Sequence, residues 1–146
     1  MTFQLHPQLQ LDSIEIGQLV LSRLLLINDS QYPWFVLVPE RAGVTEIYQL
    51  SEKDQQQLQR ESSLLAKTLA EIYKADKMNI AAIGNLVPQL HIHHIVRYKD
   101  DVAWPAPVWG KYDAVPYAEQ QQQKIKIQIT NELKMERAFS YIPDSD

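Results

Sequence analysis

The sequence predicts an α+β fold with an antiparallel β-sheet, one long helix after the first strands and a second helix near the carboxy terminus. Three observations support this prediction: β-rich segments before residue 40, a clear helical periodicity between residues 51 and 75, and a second β-rich group that leads into another helical segment. Strands, helix, strands and helix in this order are typical of an α+β domain. The 146 residues suit a single domain, with the carboxy-terminal helix and tail at residues 116–146.

The first strands are predicted from the segments SIEIGQLVLSRLLLI and WFVLV. Residues 13–27 indicate a short strand, a turn at Gly17 and a longer apolar strand. Residues 28–30 (Asn, Asp, Ser) break this pattern, because their side chains favour turns through hydrogen bonds to the backbone. Residues 34–38 are β-rich and end at Pro39, so the two segments are expected to pair antiparallel.

Ser51 is predicted to begin the clearest helix. Residues 51–54 (SEKD) resemble a capping box, with Asp54 in the position that Glu or Gln usually holds. Apolar side chains then recur at helical spacing on one face: Leu58, Leu65, Leu69, Ile72 and Tyr73. We expect the helix to end near Ala75.

Two further strands are predicted in the second half of the chain. Residues 78–83 (MNIAAI) form the first, and the histidine-rich segment that ends near Arg97 forms the second. The segment WPAPVWG at residues 104–110 is too rich in proline for a central strand and indicates an ordered loop or an edge.

The carboxy-terminal segment fits both a strand and a helix. Ile125, Ile127 and Ile129 alternate as in a strand, whereas Ile125, Ile129 and Leu133 share one face of a helix. The surrounding Gln, Lys and Glu residues favour the helix. The tail YIPDSD, residues 141–146, is expected to be frayed.

Composition excludes several classes of function. A net charge of -4 argues against extended binding to nucleic acid, which requires clustered Lys and Arg, but a small anionic ligand remains possible. The absence of cysteine excludes disulfides and thiolate metal sites. No apolar run is long enough to span a membrane, and the amino terminus lacks the pattern of a secretory signal. A cytoplasmic protein is therefore expected.

Three histidines lie within four positions of the segment QLHIHHIVR, residues 89–97. Because side chains alternate across a strand, His91 and His93 share the polar face with Arg97. His94 falls on the opposite, apolar face, so we predict a buried or edge histidine with a local hydrogen bond.

The residues alone leave two interpretations of His91 and His93. Their Cα atoms are expected to lie roughly 6.5 Å apart, a spacing compatible with a shared metal ion. Zinc, however, requires three or four ligands, the remaining histidine is His6 near the amino terminus, and no acidic residue is singled out. A metal site is therefore not expected. A purely structural role for His91 and His93 remains the alternative interpretation.

Residues 84–97 (GNLVPQLHIHHIVR) resemble the signature of the histidine-triad (HIT) superfamily of nucleotide hydrolases and transferases. Gln89, His91 and His93 fall in the three histidine slots, and Arg97 matches an arginine that follows them. The resemblance extends over residues 13–110, since WFVLVP is similar to the family's preceding strand. It is strongest to a bacterial branch described as diadenosine polyphosphate hydrolases.

The resemblance implies a nucleotide or dinucleotide polyphosphate as ligand, no cofactor, and a nucleotidyl-histidine intermediate. His91 would attack the α-phosphorus, while His93 and nearby backbone amides would stabilise charge on the phosphoryl oxygens. Asn28 matches a residue that binds the ribose. Asn79 and Asn85 match further polar contacts with the nucleotide.

Two residues depart from the family pattern. Gln89 replaces the first histidine, and its amide can hydrogen-bond a phosphate but cannot carry a proton. Trp34 stands where many members have a histidine that assists the leaving group. General acid catalysis contributes roughly 10²–10⁴-fold, so slow turnover or restriction to good leaving groups is expected. A nucleotide-binding or interaction protein with little catalysis is the alternative to a hydrolase, and a metal-bound protein comes third.

The resemblance also implies a homodimer formed through the long helix and the strand beside it. Residues 80–83 (IAAI) are apolar on both faces, as expected when the outer side is covered by another copy or by the carboxy-terminal helix. Trp104 and Trp109 are expected either to close over a nucleobase or to pack against protein.

Overall fold

The computed structural model describes residues 2–135 and 139–140, and for residues 136–140 no side chain is described. The tail prediction for residues 141–146 lies outside the described residues. The elements in chain order are α1 (Pro7–Asp12), β1 (Ser13–Leu19), β2 (Ser22–Ile27), β3 (Trp34–Pro39), a 3-10 turn (Ile47–Gln49), α2 (Glu52–Tyr73), β4 (Lys77–Ala81), β5 (Ile92–Arg97), α3 (Glu119–Lys134) and β6 (Phe139–Ser140). The predicted α+β class is confirmed.

The described strands form one antiparallel sheet in the order β4-β5-β3-β2-β1-β6. The histidine strand β5 lies between β3 and β4. Ile95 pairs with Trp34 on one side and with Asn79 on the other. Residues of β5 are therefore held by ladders on both edges, which fixes the direction of each histidine.

Helix α2 covers one face of the sheet. Ser51 caps its amino terminus by accepting a hydrogen bond from the Asp54 N–H at 3.1 Å, and Lys74 ends it in the left-handed conformation, with φ 55. The buried residues on this side are Ile16, Leu19, Leu24, Leu26, Phe35, Leu37, Leu65, Leu69, Val96, Ile129 and Leu133. Burial of each such side chain stabilises the fold by about 1.5–3 kcal/mol.

The opposite face is covered by the amino-terminal arm, residues 2–12, and by the loop of residues 98–112. Leu25, Val36 and Val38 alternate with the residues that face α2, and the arm packs on them through Leu9, with Phe3 and Leu5 beside it. The loop adds a second cluster, which contains Tyr32, Ile95, Ala103 and Val108. The sequence prediction contained neither the arm nor its short helix α1.

The predicted turn at Gly17 is wrong. β1 runs through Gly17 to Leu19, and the register shifts between Glu15 and Gly17, so Ile16 is the extra residue of a β-bulge. Glycine inside a strand often marks such a bulge. The chain turns instead at Val20 and Leu21, where the Leu21 N–H donates to the Glu61 carboxylate of α2 at 2.7 Å.

The other predicted elements are close to those observed. The strand predicted at residues 34–38 is confirmed as β3, and the helix predicted from Ser51 to near Ala75 is confirmed as α2. The carboxy-terminal helix is confirmed as α3. β4 is shorter than predicted because it ends at Ala81. α3 packs beside β1 and leaves β4 uncovered at the other edge of the sheet. Over the described ranges, no helix is both long and apolar enough to cross a bilayer.

Candidate active site

The three clustered histidines lie at the start of the central strand β5. His91 directly precedes the strand, and His93 pairs with Val36 of β3. His93 shares the arm-and-loop face with Ile95, whereas His94 points toward α2, as the alternation predicted. All three side chains are buried: 6% of His91, 7% of His93 and none of His94 is exposed.

His91 is held by the backbone of the residue two positions before it. Its Nδ1 lies 2.7 Å from the Gln89 carbonyl oxygen. A carbonyl only accepts hydrogen bonds, so Nδ1 carries a proton. In the neutral ring, Nε2 therefore has a free lone pair, which is the state that a nucleophile requires.

His93 is held in the opposite tautomer. The indole N–H of Trp34 donates to His93 Nδ1 at 2.9 Å, and an indole nitrogen only donates. Nδ1 is therefore unprotonated, and the neutral ring carries its proton on Nε2. Burial, followed by the nearby His91 and His94, lowers the pKa of His93 to about 3. His93 is a neutral hydrogen-bond donor near pH 7.

Aromatic rings surround His93. The ring of His91 is 4.8 Å away, that of Trp109 is 5.1 Å away and that of Trp34 is 5.6 Å away, measured between centroids. Trp109 and Trp34 also meet edge to face at 5.8 Å. Of the two roles expected for Trp109, packing against protein is therefore the one observed.

His94 serves the core. Its Nδ1 donates to the Ile92 carbonyl at 3.0 Å, so its Nε2 accepts from the Ser62 hydroxyl of α2 at 2.7 Å. Burial lowers the pKa of His94 to about 4, although the backbone hydrogen bond opposes this shift. The predicted buried histidine with a local hydrogen bond is confirmed.

The side chain of Gln89 binds the amino-terminal arm. Its Nε2 donates to the Gln4 carbonyl at 2.8 Å, and its Oε1 accepts from the His6 N–H at 2.8 Å. One residue thus links the arm to the site, because the Gln89 carbonyl also holds His91. Sequence reasoning missed this role, since nothing near Gln89 in the chain indicates the arm.

Arg97 is the centre of a buried network. Its guanidinium makes two hydrogen bonds to Asp101, at 2.8 Å and 3.0 Å, and further ones to Asn79 Oδ1 and the Ala106 carbonyl, both at 2.8 Å. Its Cζ lies 5.5 Å from the ring centroid of Trp104. The network ties β4 and the loop to β5, and the Asn79 side-chain oxygen is engaged within it.

Asp101 is the acidic partner of Arg97, and the sequence alone did not single it out. Burial raises the pKa of Asp101, but hydrogen bonds from Arg97 and from the N–H groups of Tyr98, Trp104 and Ala103 outweigh burial and hold the pKa below its ordinary value. The carboxylate thus fixes the first turn of the loop.

The two remaining predicted residues lie in different surroundings. Asn28 follows β2, two strands away from β5, where its Oδ1 accepts from the Tyr117 N–H at 2.9 Å. Asn85 is exposed in the bend before β5. That bend borders a small cleft lined by residues 45–46, 82–84 and 89–91, so the cleft includes His91.

A zinc ion shared by His91 and His93 would need at least one further ligand. Among the side chains that the structure describes, no group of three or more His, Asp or Glu residues is placed to hold an ion.

Comparisons with known proteins give one matching family model and several similar solved structures. The HIT domain family model matches residues 8–100. A histidine triad protein from Marinobacter aquaeolei VT8 is 49% identical with a TM-score of 0.90, and the match covers 92% of this chain and 98% of that one. One from Bradyrhizobium japonicum is 45% identical with a TM-score of 0.88, covering 90% and 98%. One from Sinorhizobium meliloti 1021 is 41% identical with a TM-score of 0.88, covering 90% and 97%. No curated protein gives a significant match.

Proposed function

The chain belongs to the HIT family, and we propose that it is a nucleotide hydrolase or nucleotidyltransferase acting at the α-phosphate of its substrate. The opposite tautomers of two adjacent histidines carry this proposal. His91 presents a free lone pair on Nε2, and His93 presents an Nε2–H. Their ring centroids are 4.8 Å apart, so one phosphate group can contact both.

In the proposed reaction, His91 Nε2 attacks the α-phosphorus and a nucleotidyl-histidine forms. The Gln89 carbonyl retains the Nδ1 proton and so orients the ring during the attack. Negative charge builds on the phosphoryl oxygens, where the His93 Nε2–H stabilises it. Water or another acceptor then attacks the same phosphorus and frees His91.

We favour a dinucleoside polyphosphate such as diadenosine tetraphosphate as the substrate. The resemblance of the sequence to a branch described by that activity supports this choice, as does a leaving nucleotide that needs no proton. Incubation with diadenosine tetraphosphate and chromatography of the products tests it directly. Release of AMP and ATP is expected, and an unchanged dinucleotide with intact AMP esters would contradict the proposal.

His91→Ala should abolish turnover while nucleotide binding stays measurable by calorimetry, because the nucleophile is removed but the cleft remains. Intact-protein mass spectrometry should detect a nucleotidyl adduct on the wild-type protein and none on the variant. His6→Ala is the matched control, since His6 is a histidine outside the pair and only its backbone N–H contacts Gln89. A His91→Ala protein with the wild-type rate would refute the assignment.

Two observations favour a second candidate, a nucleotide-binding protein with little catalysis. The Gln89 side chain is occupied by the arm, and Trp34 supplies no proton to the substrate. Tight binding of AMP by the wild-type protein, without turnover of any AMP ester, would favour this candidate over the hydrolase.

We further propose that the protein is a homodimer that uses the face shared by α2 and β4. A groove between these elements is lined by apolar side chains that include Leu58 and Ile92. Ile47 and Ile80 border it and are 42% and 49% exposed. A second copy would cover this apolar surface.

A further inference from the structure

We propose that the site acts only on substrates whose leaving group departs as a stable oxygen anion, and that Trp34 imposes this restriction through His93. Such leaving groups are polyphosphates, nucleoside polyphosphates and acidic phenols, whereas amines are excluded. The inference rests on the proposed function and narrows its substrate class. Trp34 is a positioning residue in this scheme, because it acts on the substrate through His93.

The restriction begins at the hydrogen bond between Trp34 Nε1 and His93 Nδ1, which is 2.9 Å long. An imidazolium carries protons on both ring nitrogens, so protonated His93 would place an N–H against the indole N–H. The bond would be lost and two donors would oppose each other in a buried site. His93 is therefore kept neutral, and it stabilises charge without transferring a proton.

Because neutral His93 does not act as a general acid, another group would have to protonate the leaving group. No other described side chain beside His91 and His93 is placed to do so. The Nδ1 proton of His91 is held by the Gln89 carbonyl, and the Gln89 amide carries no transferable proton. His94 lies on the opposite face of β5, where it is bound to Ser62. Glu46, the other ionisable side chain that lines the cleft, is exposed to solvent at its rim.

The chemical step then balances without an acid. The His91 Nε2 lone pair forms an N–P bond, the P–O bond to the leaving group breaks, and its electron pair stays on the departing oxygen. In the second step, a water oxygen bonds to phosphorus, the N–P bond breaks, the electron pair returns to Nε2, and the water proton passes to solvent. An amine leaving group would have to depart as an amide anion, because nothing protonates it.

Leaving-group selectivity tests the inference. We would measure kcat/KM for three substrates that share AMP: the p-nitrophenyl ester, the phenyl ester and adenosine 5′-phosphoramidate. General acid catalysis contributes roughly 10²–10⁴-fold, so without an acid the phosphoramidate and the phenyl ester should each be at least about 100-fold slower than the p-nitrophenyl ester. Comparable rates on the phosphoramidate and the p-nitrophenyl ester would overturn the inference and leave the proposed function standing.

Trp34→Phe keeps an aromatic ring but removes the indole N–H. The ratio between the p-nitrophenyl ester and the phosphoramidate should shrink in this variant, since the donor that opposes a proton on His93 Nδ1 is removed and His93 is easier to protonate, although burial still acts on it. Trp109→Phe is the matched control, because Trp109 contacts His93 through its ring, and there the ratio should stay as in the wild type. A wild-type ratio in Trp34→Phe would overturn the role of Trp34.

Nitrogen-15 NMR of the imidazole rings gives a readout that does not depend on the variants. The wild-type protein should show His93 as the Nε2–H tautomer from pH 5 to 8, and protonation within this range would overturn the inference. Absence of turnover on all three substrates would refute the proposed function and this inference together.

Discussion

At the level of single residues, three neighbouring histidines perform different tasks because each has a different partner. Gln89 fixes the proton of His91 on Nδ1, Trp34 fixes that of His93 on Nε2, and Ser62 completes the buried pair with His94. A neutral imidazole is both donor and acceptor, so the partner decides whether the other ring nitrogen donates or accepts. The direction of each ring and its tautomer together define the site.

His94 should make the stability of the fold depend on pH. Its pKa in the folded protein is lowered to about 4 by burial, so between pH 6.5 and 4 the unfolded chain binds a proton that the folded chain does not. The free energy of unfolding should therefore fall as the pH drops through this window, by up to about 3 kcal/mol from His94. Above pH 6.5, His94 is neutral in both the folded and the unfolded chain, so no stability is lost there.

Urea unfolding at pH 7 and pH 4.5, with His94→Leu for comparison, measures this contribution. His93 titrates in the same direction and is present in both proteins, so most of its contribution cancels in the comparison, although His94 itself lowers the pKa of His93. The variant should lose less stability between the two pH values than the wild type. Equal losses would show that His94 is not held neutral by the fold.

Asn28→Ala should weaken nucleotide binding, because Asn28 is the proposed ribose contact. It should also cost about 0.5–1.5 kcal/mol of stability, since the Tyr117 N–H loses its acceptor. Asn28→Asp is the matched control, as its carboxylate preserves that hydrogen bond. Calorimetric titration with AMP measures the affinity, and unaltered binding in Asn28→Ala would exclude the contact.

Alternation predicted the directions of His91, His93 and His94, but their partners were not predictable from the sequence. Trp34 and His93 are 59 positions apart, and His6 and Gln89 are 83 positions apart. Such pairs form only after strands or segments pack together, and no local pattern of residue types encodes them. The sequence therefore predicted the directions of the three histidines, but it did not predict which ring nitrogen of each carries the proton.

At the level of elements, the loop of residues 98–112 is held by one buried ion pair. Asp101→Asn should cost about 3–5 kcal/mol, because the Arg97 guanidinium, only 1% exposed, would lose its countercharge. Asp100→Asn is the matched control, since Asp100 is exposed and surface changes alter stability by less than about 0.5 kcal/mol. Thermal or urea unfolding of both variants measures the difference, and similar values for the two would contradict the network.

The amino-terminal arm should depend on Gln89. Gln89→Ala removes both hydrogen bonds to the arm, so the His6 amide proton should exchange with solvent faster. Gln8→Ala is a suitable control, because its side chain bonds only Asp12, within the arm itself. Hydrogen exchange followed by NMR measures the change, and unaltered protection of the His6 amide would show that packing alone holds the arm.

Element boundaries were predictable where local signals agreed with packing. Ser51 caps α2 as its sequence indicated, and Pro39 ends β3. The hairpin at Val20 and Leu21 was missed because it contains no Gly, Pro, Asn or Asp, and the Glu61 carboxylate of a distant helix stabilises it instead. Tertiary contacts thus replaced turn chemistry at this position.

At the level of the whole molecule, β4 is an uncovered edge of the described sheet. Edge strands expose unpaired N–H and C=O groups, and proteins usually protect them with charge, prolines or a partner. Lys77 is the one charged residue of β4, while Ile80 and nearby Ile83 are 49% and 43% exposed. An apolar edge next to the groove of α2 is the surface that a second copy would cover.

Ile80→Glu should therefore convert the proposed dimer into a monomer, because it places a charge at the centre of the apolar edge. Leu11→Glu is the matched control, since Leu11 is 77% exposed on α1 and away from β4. Light scattering at micromolar concentration should give twice the 16.9 kDa of one chain for the wild type and the control. The Ile80→Glu protein should give the mass of one chain. A wild-type mass of a single chain would refute the dimer, and a dimeric Ile80→Glu protein would place the interface elsewhere on the molecule.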